Sequence, residues 1–327
     1  MNCSEIVYQF LGCNSRMCSS CGKRYADQWA KSLSKAMFKV PHRHFVMSVP
    51  SQIWPYLKEN KALWKIYMDS AIDACNDYFP KIMRNPHIRP GAIVVLHPFG
   101  KDMKFQPHLH VIVTEGGFVG DKFVRNTFFP AREFARSWQY HVSKKLQESG
   151  LPNKLFTELY KKYNGFYVWV HRAGRIEDVK DVARYLGRYV RHPAIANSRI
   201  TGFDGKNVTF FYEEYRNFEI TRHYVTMSSD EFISALIQHI PPKQFKMIRY
   251  YGTYGRRRKG MFSSMAQSSI ASTVQDTLYM PRWKMKPRCP HCNGMLTLLS
   301  FEKIPPPEDC FHYDVKKENL VIWQLRN

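Results

Sequence analysis

The stretch Gln106-Pro107-His108-Leu109-His110-Val111-Ile112-Val113 decides how this chain is read. A β-branched apolar run placed directly after His-x-His predicts a strand, from Phe105 to Thr114. Side chains on a strand alternate faces, so His108 and His110 share one face and can hold one cation, while Leu109 points into the core. Upstream, Gly91 to Gly100 (GAIVVLHPFG) reads as a second strand, joined antiparallel to the first by the turn Gly100-Lys101-Asp102. His97 then stands at the end of the neighbouring strand as the expected third ligand, with Gln106 and Glu115 in reserve. The competing role for His97 is a hydrogen bond that caps the turn. A divalent ion, Mg²⁺ or Mn²⁺, is the expected cofactor, polarising a phosphate as a Lewis acid.

About 75 residues on, Tyr185 and Tyr189 fall in a stretch that reads as a helix from Asp178 to Val190. Residues four apart lie on one helix face, so the two hydroxyls stand side by side. Such a pair also suits ordinary packing. With a metal nearby, it suits nucleophilic attack on a phosphodiester instead, giving a 5′-phosphotyrosine and a free 3′-hydroxyl without ATP. A tyrosine with a pKa near 10 needs help to lose its proton. Arg184, Arg188, Arg191 and His192 are close enough in sequence to stabilise phenolate or phosphate, or simply to contact the backbone of a nucleic acid.

Composition points to the same partner. The 327 residues carry 49 Lys and Arg against 27 Asp and Glu, a formal charge of +22, with a pI near 9.7. A balance this basic implies a polyanion, nucleic acid rather than membrane. Hydrophobic residues at 44% and aromatics at 15% supply a packed core and exclude a disordered chain. No stretch approaches the roughly 20 apolar residues of a membrane span, and the N-terminus lacks a signal-peptide pattern, so the expected location is the cytoplasm.

Eight cysteines in a reducing compartment read as metal ligands rather than disulfides. Cys3, Cys13, Cys18 and Cys21 supply four thiolates within 19 residues, the donor set of a closed structural Zn²⁺ site that would furnish much of the module's folding free energy. Cys289-Pro290-His291-Cys292 resembles half of a zinc knuckle, with Cys310 or His312 to complete it. Cys75 reads as a buried thiol.

Between these ends, further elements follow from periodicity. Arg24 to Lys39 is expected as a basic amphipathic helix, His42 to Pro50 as a strand and 52 to 83 as one or two helices. Ala131 to Glu148 is expected as a helix, Gly165 to Arg172, Val208 to Tyr212 and Tyr224 to Met227 as strands, and Ser229 to Gln238 as a helix with Asp230 and Glu231 in its first turn. Arg249, Tyr250 and Tyr251 precede the run Arg256-Arg257-Arg258-Lys259. This interleaving suits phosphate contacts and base stacking, with core packing as the alternative for the two tyrosines. A polar linker then leads to the last module. The chain divides into residues 1–35, a zinc module; 36–260, the catalytic part; and 261–327, linker and Cys-x2-Cys tail.

Three stretches, Gly91 to Gly117 (GAIVVLHPFGKDMKFQPHLHVIVTEGG), Tyr185 to Gly205 (YLGRYVRHPAIANSRITGFDG) and Phe245 to Gly255 (FKMIRYYGTYG), resemble the two-tyrosine HUH transposases of the insertion-sequence-91 family, relatives of Helitrons. The resemblance implies an α+β fold: an HUH endonuclease core in which a central antiparallel sheet has helices on one face and the His strand lies mid-sheet beneath the tyrosine helix. It implies rolling-circle transposition of a DNA element through cleavage of single-stranded DNA. His108 and His110 match the family's metal pair, Tyr185 and Tyr189 its nucleophiles, and Cys13, Cys18 and Cys21 its zinc module. Family members carry more sequence before that module, so this chain is expected to start inside it. Replication initiators and relaxases use the same chemistry, and a catalytically idle DNA-binding remnant is the alternative of another class.

Overall fold

The computed structural model describes residues 7–10, 19–170, 194–216, 219–255, 296–303 and 319–325. In chain order the elements are β1 (Val7–Phe10), α1 (Ser19–Ala36), β2 (His42–Ser48), α2 (Trp54–Glu59), α3 (Leu63–Ile82), β3 (Gly91–Phe99), β4 (Phe105–Thr114), β5 (Gly116–Val119) and β6 (Lys122–Arg125). Then come α4 (Ala131–Glu148), α5 (Asn153–Lys162), β7 (Val168–Val170), β8 (Ile200–Phe203), β9 (Asn207–Arg216), β10 (Glu219–Ser228), α6 (Ser229–Gln238), β11 (Ile248–Gly252), β12 (Leu296–Lys303) and β13 (Asn319–Leu325). The architecture is α+β. At its centre is a five-stranded antiparallel sheet in the order β11-β3-β4-β2-β7.

The strands β3 and β4 form the expected hairpin, and β4 lies mid-sheet. Its turn is closed by Gly100 N–H donating to the Lys104 carbonyl at 2.9 Å and by Asp102, whose carboxylate accepts from Lys104 N–H at 3.1 Å. Alternation sorts their side chains. Ala92, Val94, Leu96, Leu109, Val111 and Val113, with Phe45 and Met47 of β2, form one buried face. Against it pack Tyr67, Ala71 and Cys75 of α3 and Phe134, Trp138 and Val142 of α4. Each large aliphatic or aromatic side chain so buried is worth about 1.5–3 kcal/mol.

The opposite face is half apolar and half histidine. Ile93, Val95 and Ile112 project there, and an uncovered patch of that kind would remain in water. Trp29 and Leu33 of α1, with Met37 and Phe38 just beyond it, cover the patch. Helices therefore lie on both faces, not on one as the sequence reading expects. Tyr254 locks this layer: its hydroxyl lies 2.6 Å from His42 Nε2 and accepts from the Phe38 N–H at 3.2 Å. The chain turns to reach it at Gly252, whose φ of +59° and whose position 1.9 Å (for a Cβ) from the Pro90 carbonyl oxygen admit only glycine.

A second antiparallel sheet, β10-β9-β8, packs through Val208 and Phe210 on Phe232 of α6 and on Met103 of the hairpin turn. The expected short strands at 208–212 and 224–227 lengthen here into ten-residue partners. The helix α6 spans Ser229–Gln238 as expected and begins with a capping box between Ser228 and Glu231. Two short strands, β5 and β6, form a separate ribbon. The helix α5 and the strand β11 are not among the expected elements. Strand β1 pairs with β13 and β13 with β12, so the chain's two outer segments, separate modules in the sequence reading, share one sheet.

Candidate metal site on the central sheet

Register builds the site. In the β3–β4 ladder His97 stands directly opposite His108, and Val95 opposite His110. His97 and His110 are thus diagonal neighbours on one face, and Leu109 between the two β4 histidines points the other way, opposite Leu96. A register shift between His97 and Phe99 falls at Pro98, which cannot donate to the ladder; such irregularities re-aim the side chain beside them. Ligand nitrogens of His97, His108 and His110 all lie within 4.8 Å of one another. Ring centroids are 5.0 Å (His97–His110), 5.1 Å (His108–His110) and 5.3 Å (His97–His108) apart. These three residues could hold a metal ion.

The protonation states suit ligation. His110 is buried, and burial, followed by the mutual repulsion of His97, His108 and His44, holds its pKa well below the usual histidine value. Burial also lowers that of His108, opposed by the hydrogen bond to the Gln106 carbonyl. Neutral imidazoles are the ligating form. His108 Nδ1 donates to that carbonyl at 2.8 Å, which leaves Nε2 with the lone pair. Nitrogen-only donors suit Mn²⁺ or a later transition ion better than Mg²⁺, which demands oxygen ligands.

The histidines open onto a cavity of about 760 Å³. Its walls include Gln106 and Met247, the aromatic Tyr167 and His239, and two cations, Lys101 and Arg199. His239 stacks on Phe99 with ring centroids 3.8 Å apart. Tyr167 and Ala194, near the two ends of the segment 171–193, both line it. Of these residues only Gln106 figures in the sequence reading of the site. Lys101 was visible there only as part of a turn, Arg199 only within the stretch Tyr185 to Gly205 and without a role of its own, and His239 carries no local motif.

Other expected site residues fall elsewhere. Glu115 is fully buried, its carboxylate accepting from Arg43 at 2.5 Å and from Arg125 at 2.9 and 3.0 Å, so it is not a reserve ligand. Arg249 and Tyr251 lie on β11 opposite Val94 and Ala92, hence on the helix-packed face away from the histidines. The Tyr251 hydroxyl donates to Asp69 at 2.6 Å, and Arg249 lies 5.7 Å over the Phe245 ring. Tyr250 is exposed on the opposite face. Cys21 sits within α1. Tyr185, Tyr189, Arg184, Arg188, Arg191, Arg256, Arg257, Arg258, Lys259, Cys3, Cys13, Cys18, Cys289 and Cys292 lie outside the described residues.

One residue of the site the sequence reading missed. His44 Nε2 lies 3.0 Å from His110 Nδ1, the two rings stacked at 5.2 Å and only 7° apart in plane. Its signal was the chain's other His-x-His, His42-Arg43-His44, which reads as an ordinary strand until β2 is paired with β4.

Fold and site together define a strongly basic α+β protein whose central antiparallel sheet presents a three-histidine site able to hold a cation. The family described as "Putative transposase" matches residues 91–260, just over half of the chain, and "Transposase zinc-binding domain" matches residues 1–49. The chain belongs to the insertion-sequence-91 family of transposases with an N-terminal zinc-binding domain. It is similar to the transposase for insertion sequence element IS801 of Pseudomonas savastanoi pv. phaseolicola, 27% identical over 279 residues, 80% of this chain and 66% of that protein. The chain thus spans just under two thirds of that relative's length. It is also similar to "Putative transposase y4qJ" of Sinorhizobium fredii (strain NBRC 101917 / NGR234), 25% identical over 342 residues, 94% of this chain and 86% of that protein. No solved structure matches. No helix among the described residues is long and apolar enough to cross a membrane.

Proposed function

We propose that the protein is an HUH-type transposase that nicks and rejoins single-stranded DNA through 5′-phosphotyrosine intermediates, mobilising an element by rolling-circle transposition. The observation that carries this reading is the convergence of His97, His108 and His110 on one face of the sheet in a chain of a transposase family. In this reading those imidazoles hold a divalent ion, Mn²⁺ before Mg²⁺, which when bound supplies Lewis-acid polarisation of the scissile phosphate. Lys101 and Arg199 bind neighbouring phosphates at the cavity wall.

Tyr185 and Tyr189 are the nucleophiles. Tyr189 precedes the cavity-lining Ala194 by five residues in sequence. The phenol gives up its proton to water, its oxygen forms a bond to phosphorus as the P–O3′ bond breaks, and the departing 3′-oxygen takes up a proton from water. Arg184 and Arg188, each adjacent to a tyrosine, stabilise the phenolate and the phosphate charge. Two tyrosines allow a second strand to be cut before the first junction is resolved. Structural Zn²⁺ on Cys3, Cys13, Cys18 and Cys21, and on Cys289 and Cys292, completes the modules at 1–35 and 261–327 that flank a catalytic part at 36–260.

A labelled single-stranded oligonucleotide carrying the element's end, incubated with Mn²⁺ and resolved under denaturing conditions, tests this. A covalent protein–DNA adduct is expected, lost in the double variant Tyr185→Phe, Tyr189→Phe. An adduct that survives that double change overturns the assignment of the nucleophiles.

A further inference from the structure

The contact between His44 and His110 carries a consequence for the three-histidine site. Two imidazole nitrogens 3.0 Å apart require one proton between them. If His44 donated it, His110 would accept through Nδ1 and carry its own proton on Nε2, the wrong tautomer for a ligand. If His110 Nδ1 donates, Nε2 keeps a lone pair for a cation, and His44 must itself be a neutral acceptor at Nε2. We propose that His44 is a positioning residue, whose ring accepts the His110 Nδ1 proton and so holds His110 in the Nε2-ligating tautomer and plane. This rests on the three histidines being a metal site.

Geometry favours a positioning role over contact with the reacting atoms. His44 does not line the cavity; it stands behind His110, 2% exposed, where water cannot compete for the hydrogen bond. The register fixes it there. Val46 pairs with His110 and His44 with Ile112, so His44 occupies the diagonal slot on the same face. On its other side Trp169, paired with Val46 across the β2–β7 ladder, presents its indole to the His44 ring at 6.1 Å and 77°. The near-parallel stack restricts rotation of His110, and the hydrogen bond sets its proton. His108 is served in the same way by another device, its Nδ1 donating to the Gln106 carbonyl. Two ligands of the three thus have Nδ1 engaged by a partner behind the site, the arrangement by which outer partners orient metal-binding imidazoles.

The amide oxygen of a glutamine can occupy the place of His44 Nε2, whereas phenylalanine keeps the flat ring and removes the acceptor. Titration of the metal-free full chain with Mn²⁺ should show His44→Phe weakened about tenfold to a hundredfold. His44→Gln should stay within about threefold of the parent. Nitrogen-15 shifts of the His110 ring in the metal-free parent should report a proton on Nδ1. Parent-like Mn²⁺ affinity in a folded His44→Phe, a glutamine variant as weak as the phenylalanine one, or a proton on His110 Nε2 in the parent each overturns the proposal. The ring shifts decide it even if His44→Phe does not fold. A parent that binds no Mn²⁺ overturns both this inference and the metal reading beneath it, whereas equal binding by parent and variants overturns this inference alone.

Discussion

His108, Leu109 and His110 are consecutive, yet they serve opposite sides of one sheet. The Leu109 side is closed by α3 and α4 around a continuous apolar core, with little but packing to recommend any single residue. The histidine side is covered by α1 over one end only, through Ile93, Val95 and Ile112, and opens at the other onto the cavity. One face therefore sets stability and the other is left for chemistry, and the strand alternation that separates them is a single-residue step. The sharpest way to break this contrast is a pair of adjacent substitutions. Leu109→Ala should destabilise the fold by about 2–5 kcal/mol in denaturant melts, with the Mn²⁺ affinity of the folded protein unchanged. His108→Ala should do the reverse, weakening Mn²⁺ binding at least about a hundredfold while stability moves by less than about 1 kcal/mol. Effects of equal kind from both residues would dissolve the distinction.

The covered end of the histidine face offers a second contrast, because it buries a histidine for structure alone. His42 is fully buried beside Tyr254, and burial lowers its pKa to about 4, against a small opposing pull from the Val40 backbone. The unfolded chain takes up that proton near pH 6.5, so stability from the neutral ring is complete above 6.5 and is lost as pH falls from there toward 4. The loss amounts to about 3 kcal/mol. His42→Gln keeps a partner for the Tyr254 hydroxyl but cannot titrate. Melts of the metal-free protein at stepped pH should show a flatter acid limb for this variant. An unchanged limb would mean that His42 does not set the acid sensitivity of the fold.

This division also explains what could be read from the sequence. Alternation and the Gly100 turn were enough to put His97 at the end of the strand next to the one carrying His108 and His110; the pairing of His97 with His108 itself came from the structure. The pairing of β2 with β4 is long-range: 66 residues separate His44 from His110, and nothing local announces it. The same limit hid α1's place on the second face and the role of Glu115, which looked like a spare ligand until Arg43 and Arg125 were seen to claim both its oxygens. Helix ends set by local chemistry were more legible, Ala131–Glu148 to the residue, since apolar periodicity and the preceding Pro130 mark them.

Strand β11 shows how far composition can mislead, and it gives the smallest test. Arg249-Tyr250-Tyr251 reads as a basic, aromatic surface for unpaired bases, but pairing with β3 sends the tyrosines to opposite faces. Tyr250 stays exposed, while Tyr251 is packed against the main core with its hydroxyl on Asp69, raised well above the usual tyrosine range by burial and by that carboxylate. A hydroxyl so engaged contributes to the fold rather than to a nucleic-acid contact. Tyr251→Phe should therefore lower stability by about 1 kcal/mol, the scale of one hydrogen bond to a charged acceptor that Lys65 still partly serves. Single-stranded DNA affinity should be unchanged, whereas Tyr250→Ala, which removes a partly exposed ring hydrogen-bonded to the Trp29 side chain, should cost about 1 kcal/mol of stability and weaken DNA binding if bases stack there. Loss of DNA affinity in Tyr251→Phe without loss of stability would put the composition reading back in place and move the nucleic-acid surface to the helix-packed side of the sheet.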